Sequence, residues 1–122
     1  MEERLPQLLD KILKNHALIV ETFFFEGEYY FRYKTHALSV LFAPNRGDKY
    51  GDYSFYMYPR SSGALSSIAQ KSMFGDMSEL EMISFNSADY PNTVVSKLEE
   101  LYNLLRQKYS KVDDVFEDIL RD

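Results

Sequence analysis

The chain has 122 residues, 45% of them hydrophobic and 27% charged, a length and balance that suit one domain with its own core and not a disordered segment. It has no cysteine, which excludes disulfides, thiolate nucleophiles and cysteine-bound zinc, and fits a reducing, cytoplasmic setting. Net charge is −5 and lies unevenly: residues 72–122 hold five Lys/Arg against eleven Asp/Glu, while residues 1–71 hold nine against eight, a balance that argues against DNA or general phosphate-backbone binding.

From the N-terminus, Leu5, Leu8, Leu9, Ile12 and Leu13 recur at helical spacing, so an amphipathic helix is expected over residues 4–15. Pro6 is accommodated because it falls in the first turn, where its missing N–H has no partner to lose. This acidic, charge-interrupted start does not read as a signal peptide. No apolar run approaches the roughly 18 residues of a membrane-spanning helix, so no membrane association is expected.

Four runs rich in aromatic and β-branched residues follow at 17–26, 28–35, 38–43 and 53–58, and read as strands. Gly27 closes the first pair with Glu26-Gly27 or Gly27-Glu28 as the loop, and Thr35-His36 is the expected second turn. Residues 44–52 are polar and glycine-bearing, as expected of an exposed loop. Across 60–77, Leu65, Ile68, Ala69 and Met73 fit a short helix, with a serine-rich loop as the competing reading. A fifth strand is expected at 80–85.

The rest is helical, with a stripe running from Val94 through Leu98, Leu101 and Leu105 to Tyr109. Ser110-Lys111-Val112-Asp113 resembles a capping box, so a second short helix carrying Val112, Val115, Phe116 and Ile119 is expected there. The whole is a single α+β domain, residues 1–122. It is an antiparallel meander of four or five strands with the N-terminal helix and C-terminal helices on one face.

Alternation along the first hairpin divides its seven aromatic rings. One face collects Val20, Thr22 and Phe24 with Tyr29, Phe31 and Tyr33; it carries no charge along the strands and is assigned to the core. The other collects Ile19, Glu21, Phe23 and Phe25 with Glu28, Tyr30, Arg32 and Lys34. Ser54, Tyr56 and Tyr58 extend this second face if Phe55 and Met57 point inward. Rings interleaved with Arg and Lys suit a protein interface. They also suit base stacking by a sheet-face RNA binder, which the net charge disfavours. The bland alternative is that the N-terminal helix or a long loop half covers these rings, with Glu21 pairing to Arg32 or Lys34 across the strands.

Chemistry-bearing constellations are sparse. His16 and His36 stand at element boundaries without ligand-like neighbours, so no metal site or cofactor is expected. Asp48 and Asp52 lack the alternating oxygen ligands of a calcium loop, Arg46-Gly47-Asp48 is a short chance-prone tripeptide, and Ser61-Ser62-Gly63 fits a small anion nest or, equally, a plain turn. Asp113, Asp114, Glu117 and Asp118 stack like charges at i, i+4, a repulsion that a basic partner would relieve.

The expected function is a non-catalytic interaction domain of inhibitor, immunity or adaptor type, which occludes another protein's surface. Its candidate anchors are Phe23, Phe25, Tyr30, Arg32, Tyr56 and Tyr58 on the sheet, and Asp113, Asp114, Glu117 and Asp118 on the last helix. A homodimer is compatible with the same surfaces. The rival expectation is a small-molecule or enzymatic site between sheet and helices that uses His36, tyrosines and Arg60.

Overall fold

The computed structural model describes residues 3–44, 51–59, 63–74 and 81–121, apart from the side chains of 72–74. The order is α1 (Arg4–Lys14), β1 (Ile19–Phe25), β2 (Glu28–Tyr33), β3 (His36–Ala43), β4 (Asp52–Tyr58), α2 (Leu65–Phe74), β5 (Ile83–Asn86) and α3 (Asn92–Leu120). The five strands form one antiparallel sheet in the order β1-β2-β3-β4-β5. The α+β meander with an N-terminal and a C-terminal helix is therefore as expected.

Turn chemistry sets the register of the first hairpins. Glu26 and Gly27 have φ of 51° and 82°, so the loop is the two-residue turn with both central residues left-handed, whose twist matches that of the strands. Phe25 pairs with Glu28 across it. The second turn is Lys34-Thr35, one residue earlier than expected: Lys34 takes φ 58° and His36 already pairs with Tyr33. A 3₁₀ turn at His16–Leu18 occupies the start of the run expected to open β1.

The core lies between one sheet face and the α1/α3 pair. Leu5, Leu9 and Ile12 of α1 meet Val94, Leu98, Leu101 and Leu105 of α3 over Phe31, Val40 and Phe55. Burial of these side chains, at about 1.5–3 kcal/mol each, is the main force holding the layers together. Lys97 Nζ lies 3.0 Å from Asp10 and ties the two helices at their outer edge.

One assignment of the hairpin faces is corrected. Ile19 pairs with Tyr33 while Glu21 pairs with Arg32, so β1 carries a bulge between them. The extra residue reverses the alternation. Ile19 enters the core at 7% exposure and Val20 is left 65% exposed, the opposite of the strict period-two reading.

The C-terminal region is also corrected. It is a single 29-residue helix, continuous through Ser110–Asp113, not two helices. Elongating a helix that is already packed adds one hydrogen bond per residue and avoids a second nucleation, whereas a cap at Ser110 would require breaking the ladder.

Tyr29, Tyr53 and Tyr102 converge between the sheet and α3, with Tyr102 5.0 Å from Tyr29 and 5.8 Å from Tyr53 between ring centroids. Burial pushes all three phenols above the ordinary 10.0, against the opposing pull of Arg106. In the folded chain the proton is held more tightly than in the unfolded one. The resulting stabilisation is complete below about pH 10 and is lost as pH rises through the folded values. The urea midpoint is expected to fall with pH above about 10. Tyr102→Phe should flatten that slope. An unchanged slope in the variant would remove Tyr102 from the effect.

Candidate functional site

The second sheet face is covered, and among the described residues the cover is α2, not α1. Leu65, Ile68 and Ala69 of α2 close over Tyr30, Ala37 and Tyr58, with Phe23, Phe25, Tyr56 and Met82 packed around them. The sheet makes room for this through β3. Ser39 stands between Tyr30 and Tyr56, and Ala37 between Arg32 and Tyr58, so two small residues sit where rings on both flanks need space. Arg32 donates to the Gly63 carbonyl just ahead of α2, and its Nε lies 3.8 Å from Glu21, the cross-strand pairing read from the sequence.

This places each candidate anchor. The aromatic set does gather: Phe23 lies 6.3 Å from Phe25 and 6.5 Å from Tyr30, Tyr30 6.0 Å from Tyr58, and Tyr58 6.5 Å from Tyr56. It gathers as a second core, in which Tyr30 and Tyr58 are removed from the surface while Phe23, Phe25, Tyr56 and Arg32 stay half-buried. The acidic set is elsewhere: Asp113, Asp114, Glu117 and Asp118 are all exposed on α3.

Within the second core lies a polar cluster that alternation alone could not show. Glu28 is buried at 4% exposure, and its Oε2 accepts hydrogen bonds from Ser39 Oγ (2.7 Å) and Tyr58 Oη (3.1 Å), with Ser39 Oγ and Tyr58 Oη 2.9 Å apart. A carboxyl group is tolerated there because two hydroxyls reach one of its oxygens. The signal was present in the spacing: Ser39 faces the same side as Glu28, and Tyr58 lies one strand further on.

Among the described residues the most accessible feature is the end of α3. Leu105 is the last fully buried residue of the helix, and from Ser110 to Arg121 every residue is exposed. At 1.5 Å per residue, that segment extends about 16 Å beyond the packed region. Val112, Val115, Phe116, Ile119 and Leu120 recur at i, i+3, i+4, i+7 and i+8, with exposures rising from 43% at Val112 to 77% at Leu120. The projecting segment is amphipathic, with an apolar stripe facing solvent and the four acids beside and behind it.

Beside the root of this segment, β1 is an edge strand. A groove of about 640 Å³ runs between it, the first residues of α2 and residues 108–112 of α3. Ile19, Phe23, Leu65 and Val112 line it together with Lys108 and Lys111. Phe24, assigned to the core by alternation, keeps that face beside Tyr29 but is 38% exposed because β1 is the sheet edge; its ring lies 6.1 Å from Tyr109.

The rival site between sheet and helices has less to draw on. His36 lines a recess of about 170 Å³ with Tyr58, Pro59 and Ile83, and among the described residues no carboxylate shares it. Arg60, Arg46-Gly47-Asp48 and Ser61-Ser62 lie outside the described residues. Among the described residues no three His, Asp or Glu side chains group as metal ligands, and no helix is long and apolar enough to cross a membrane.

Removing the acceptor at the polar cluster tests whether it holds the second core. Glu28→Ala, which removes the acceptor the Ser39 and Tyr58 hydroxyls share, is expected to cost about 1–3 kcal/mol in urea unfolding. Glu28→Gln, which keeps a carbonyl acceptor, is expected to cost less. Equal losses in the two variants would show that a neutral carbonyl acceptor does nothing to hold the cluster. Comparison with known proteins adds no relative: no protein-family model, curated protein or solved structure matches the chain.

Proposed function

We propose that the chain is a non-catalytic protein-interaction domain that acts by occluding a partner's surface, as inhibitors, immunity proteins and adaptors do. The observation that supports it is the projecting end of α3. Five large apolar side chains stand on one stripe of a helix that leaves the domain, and four acids accompany them. Apolar patches of this kind are seldom left bare, and an amphipathic helix is a common ligand for an apolar groove. The acids direct the partner's chemistry: a groove with a basic rim relieves the Asp113/Glu117 and Asp114/Asp118 repulsions as it binds.

The sheet aromatics take a different part in this reading. Tyr30 and Tyr58 support α2 from beneath, and Phe23 contributes from the floor of the β1 groove, next to the root of the projecting helix. A cysteine-free acidic domain of this kind suits a cytoplasmic setting.

A tagged chain used as bait in its native host, followed by titration of the retained protein, tests the reading. Phe116→Glu is expected to weaken binding by at least about thirtyfold, the size of a central anchor. Asp114→Ala with Glu117→Ala is expected to weaken it less and to reduce its salt dependence. Unchanged affinity in both variants would overturn this assignment of the surface.

A further inference from the structure

The domain carries, on one side, both halves of a complementary contact. Nine large apolar side chains are exposed among the described residues. Five are on the projecting end of α3; Leu18, Val20 and Phe24 lie on or beside β1; only Ile83 is elsewhere. The apolar helix end and the apolar groove are therefore neighbours, and the helix root forms one wall of the groove.

The charges divide the same way. Lys108 and Lys111 line the groove, whereas the projecting segment beyond them carries Asp113, Asp114, Glu117 and Asp118. The groove is thus apolar and basic, and the helix end is apolar and acidic. Glu21, the one acid lining the groove among the described residues, lies 3.8 Å from Arg32, which offsets its charge.

Helical phase sharpens the match. Lys111 and Asp118 are seven residues apart, close to two full turns, so they stand on the same flank of the Val112–Val115–Ile119 stripe. When two such helices lie antiparallel, same-flank residues meet across the interface. With the two copies centred between residues 114 and 115, Lys111 of each faces Asp118 of the other, and the two stripes interleave. The arrangement is reciprocal, as a twofold contact requires.

We propose that a second copy of this chain occupies the groove. The projecting end of α3 from one copy lies along the open edge of β1 in its mate, between that strand and the mate's own α3, and the exchange is mutual. This rests on the interaction reading above and names the partner for the same helix. The contact buries the apolar stripe and covers the edge strand β1 with a helix, one of the ways proteins protect sheet edges. The bulge at Ile19–Glu21 fits here as well, since it turns Val20 out to the solvent side of that edge.

Sedimentation equilibrium on the intact chain, from about 5 to 200 µM, tests the proposal across the range of a micromolar dimer. The wild type is expected to approach twice the 14.3 kDa chain mass within that range. Lys111→Glu and Asp118→Lys should each weaken association by about tenfold or more, because each breaks two symmetric pairs. The double exchange Lys111→Glu/Asp118→Lys should recover to within about threefold of wild type, as reversed pairs do when they meet. Both positions are exposed, and unchanged circular dichroism confirms the fold of each variant. A wild type that stays monomeric at the highest concentration overturns the second copy as partner, as does a dimer that the double exchange fails to restore. A monomeric wild type from which Phe116→Glu still abolishes capture of a different protein would leave the interaction reading intact and remove only this partner.

Discussion

One apolar stripe, kept in phase along the whole of α3, organises this molecule. Over Val94, Leu98, Leu101 and Leu105 it closes the core against α1 and the sheet; over Val112, Phe116 and Ile119 the same stripe has nothing of the domain left to cover. The helix crosses the sheet and passes the β1 edge before the apolar pattern stops. A helix of 29 residues spans about 44 Å, longer than a five-stranded sheet is wide at about 4.8 Å per strand spacing. An uninterrupted stripe of that length on a sheet of that width must leave part of itself uncovered. The exposed segment is therefore a direct consequence of the pattern that builds the core.

The second face obeys a different rule. It is roofed by Leu65, Ile68 and Ala69 of α2 and filled by rings that need small neighbours. Ser39 and Ala37 supply the space, and Ser39 also supplies one of the two hydroxyls that satisfy Glu28. A charged residue on a face argues for exposure only when nothing nearby can accept it into the interior. Glu28 has Ser39 and Tyr58, and Arg32 has the Gly63 carbonyl and Glu21. Both ionisable side chains can therefore sit under or beside α2 without emptying the face of its aromatic residues.

This explains which parts of the fold were legible in the sequence. Helix α1, strands β1–β4 and the division of Phe31, Tyr33 and Tyr29 from Phe23, Phe25 and Tyr30 all follow from period, and period is local. Three features were not legible because each depends on something period does not encode. The bulge at Ile19–Glu21 inserts one residue and inverts the assignment of Ile19 and Val20. The Ser110–Asp113 cap signature loses to continuation of a helix already nucleated by packing. The cover on the second face comes from a segment with a weak pattern of its own, whose Leu65, Ile68 and Ala69 become informative only once Ala37 and Ser39 are seen beneath them. For the candidate site, the acidic residues of α3 could be found from their spacing. Their conjunction with a solvent-facing apolar stripe could not, because that requires knowing where the sheet ends.

The energetics of the projecting segment bear on its purpose. It gains no burial from the domain, and it stacks like charges at two i, i+4 pairs. Its local support is modest: Glu117 and Arg121 stand at the favourable i, i+4 spacing and Lys111 and Asp114 at i, i+3, each contributing a few tenths of a kcal/mol. Cut free, eleven residues of this composition would fall below the length at which helices persist in water; here they persist because the packed portion has already met the nucleation cost. Such a segment is ordered enough to present a fixed stripe, yet weakly enough held that binding stabilises it further. A rigid root with a marginal tip keeps the ordering cost of association low. In the proposed contact, the apolar area of Val115, Phe116 and Ile119 would therefore go into affinity instead of into folding the helix.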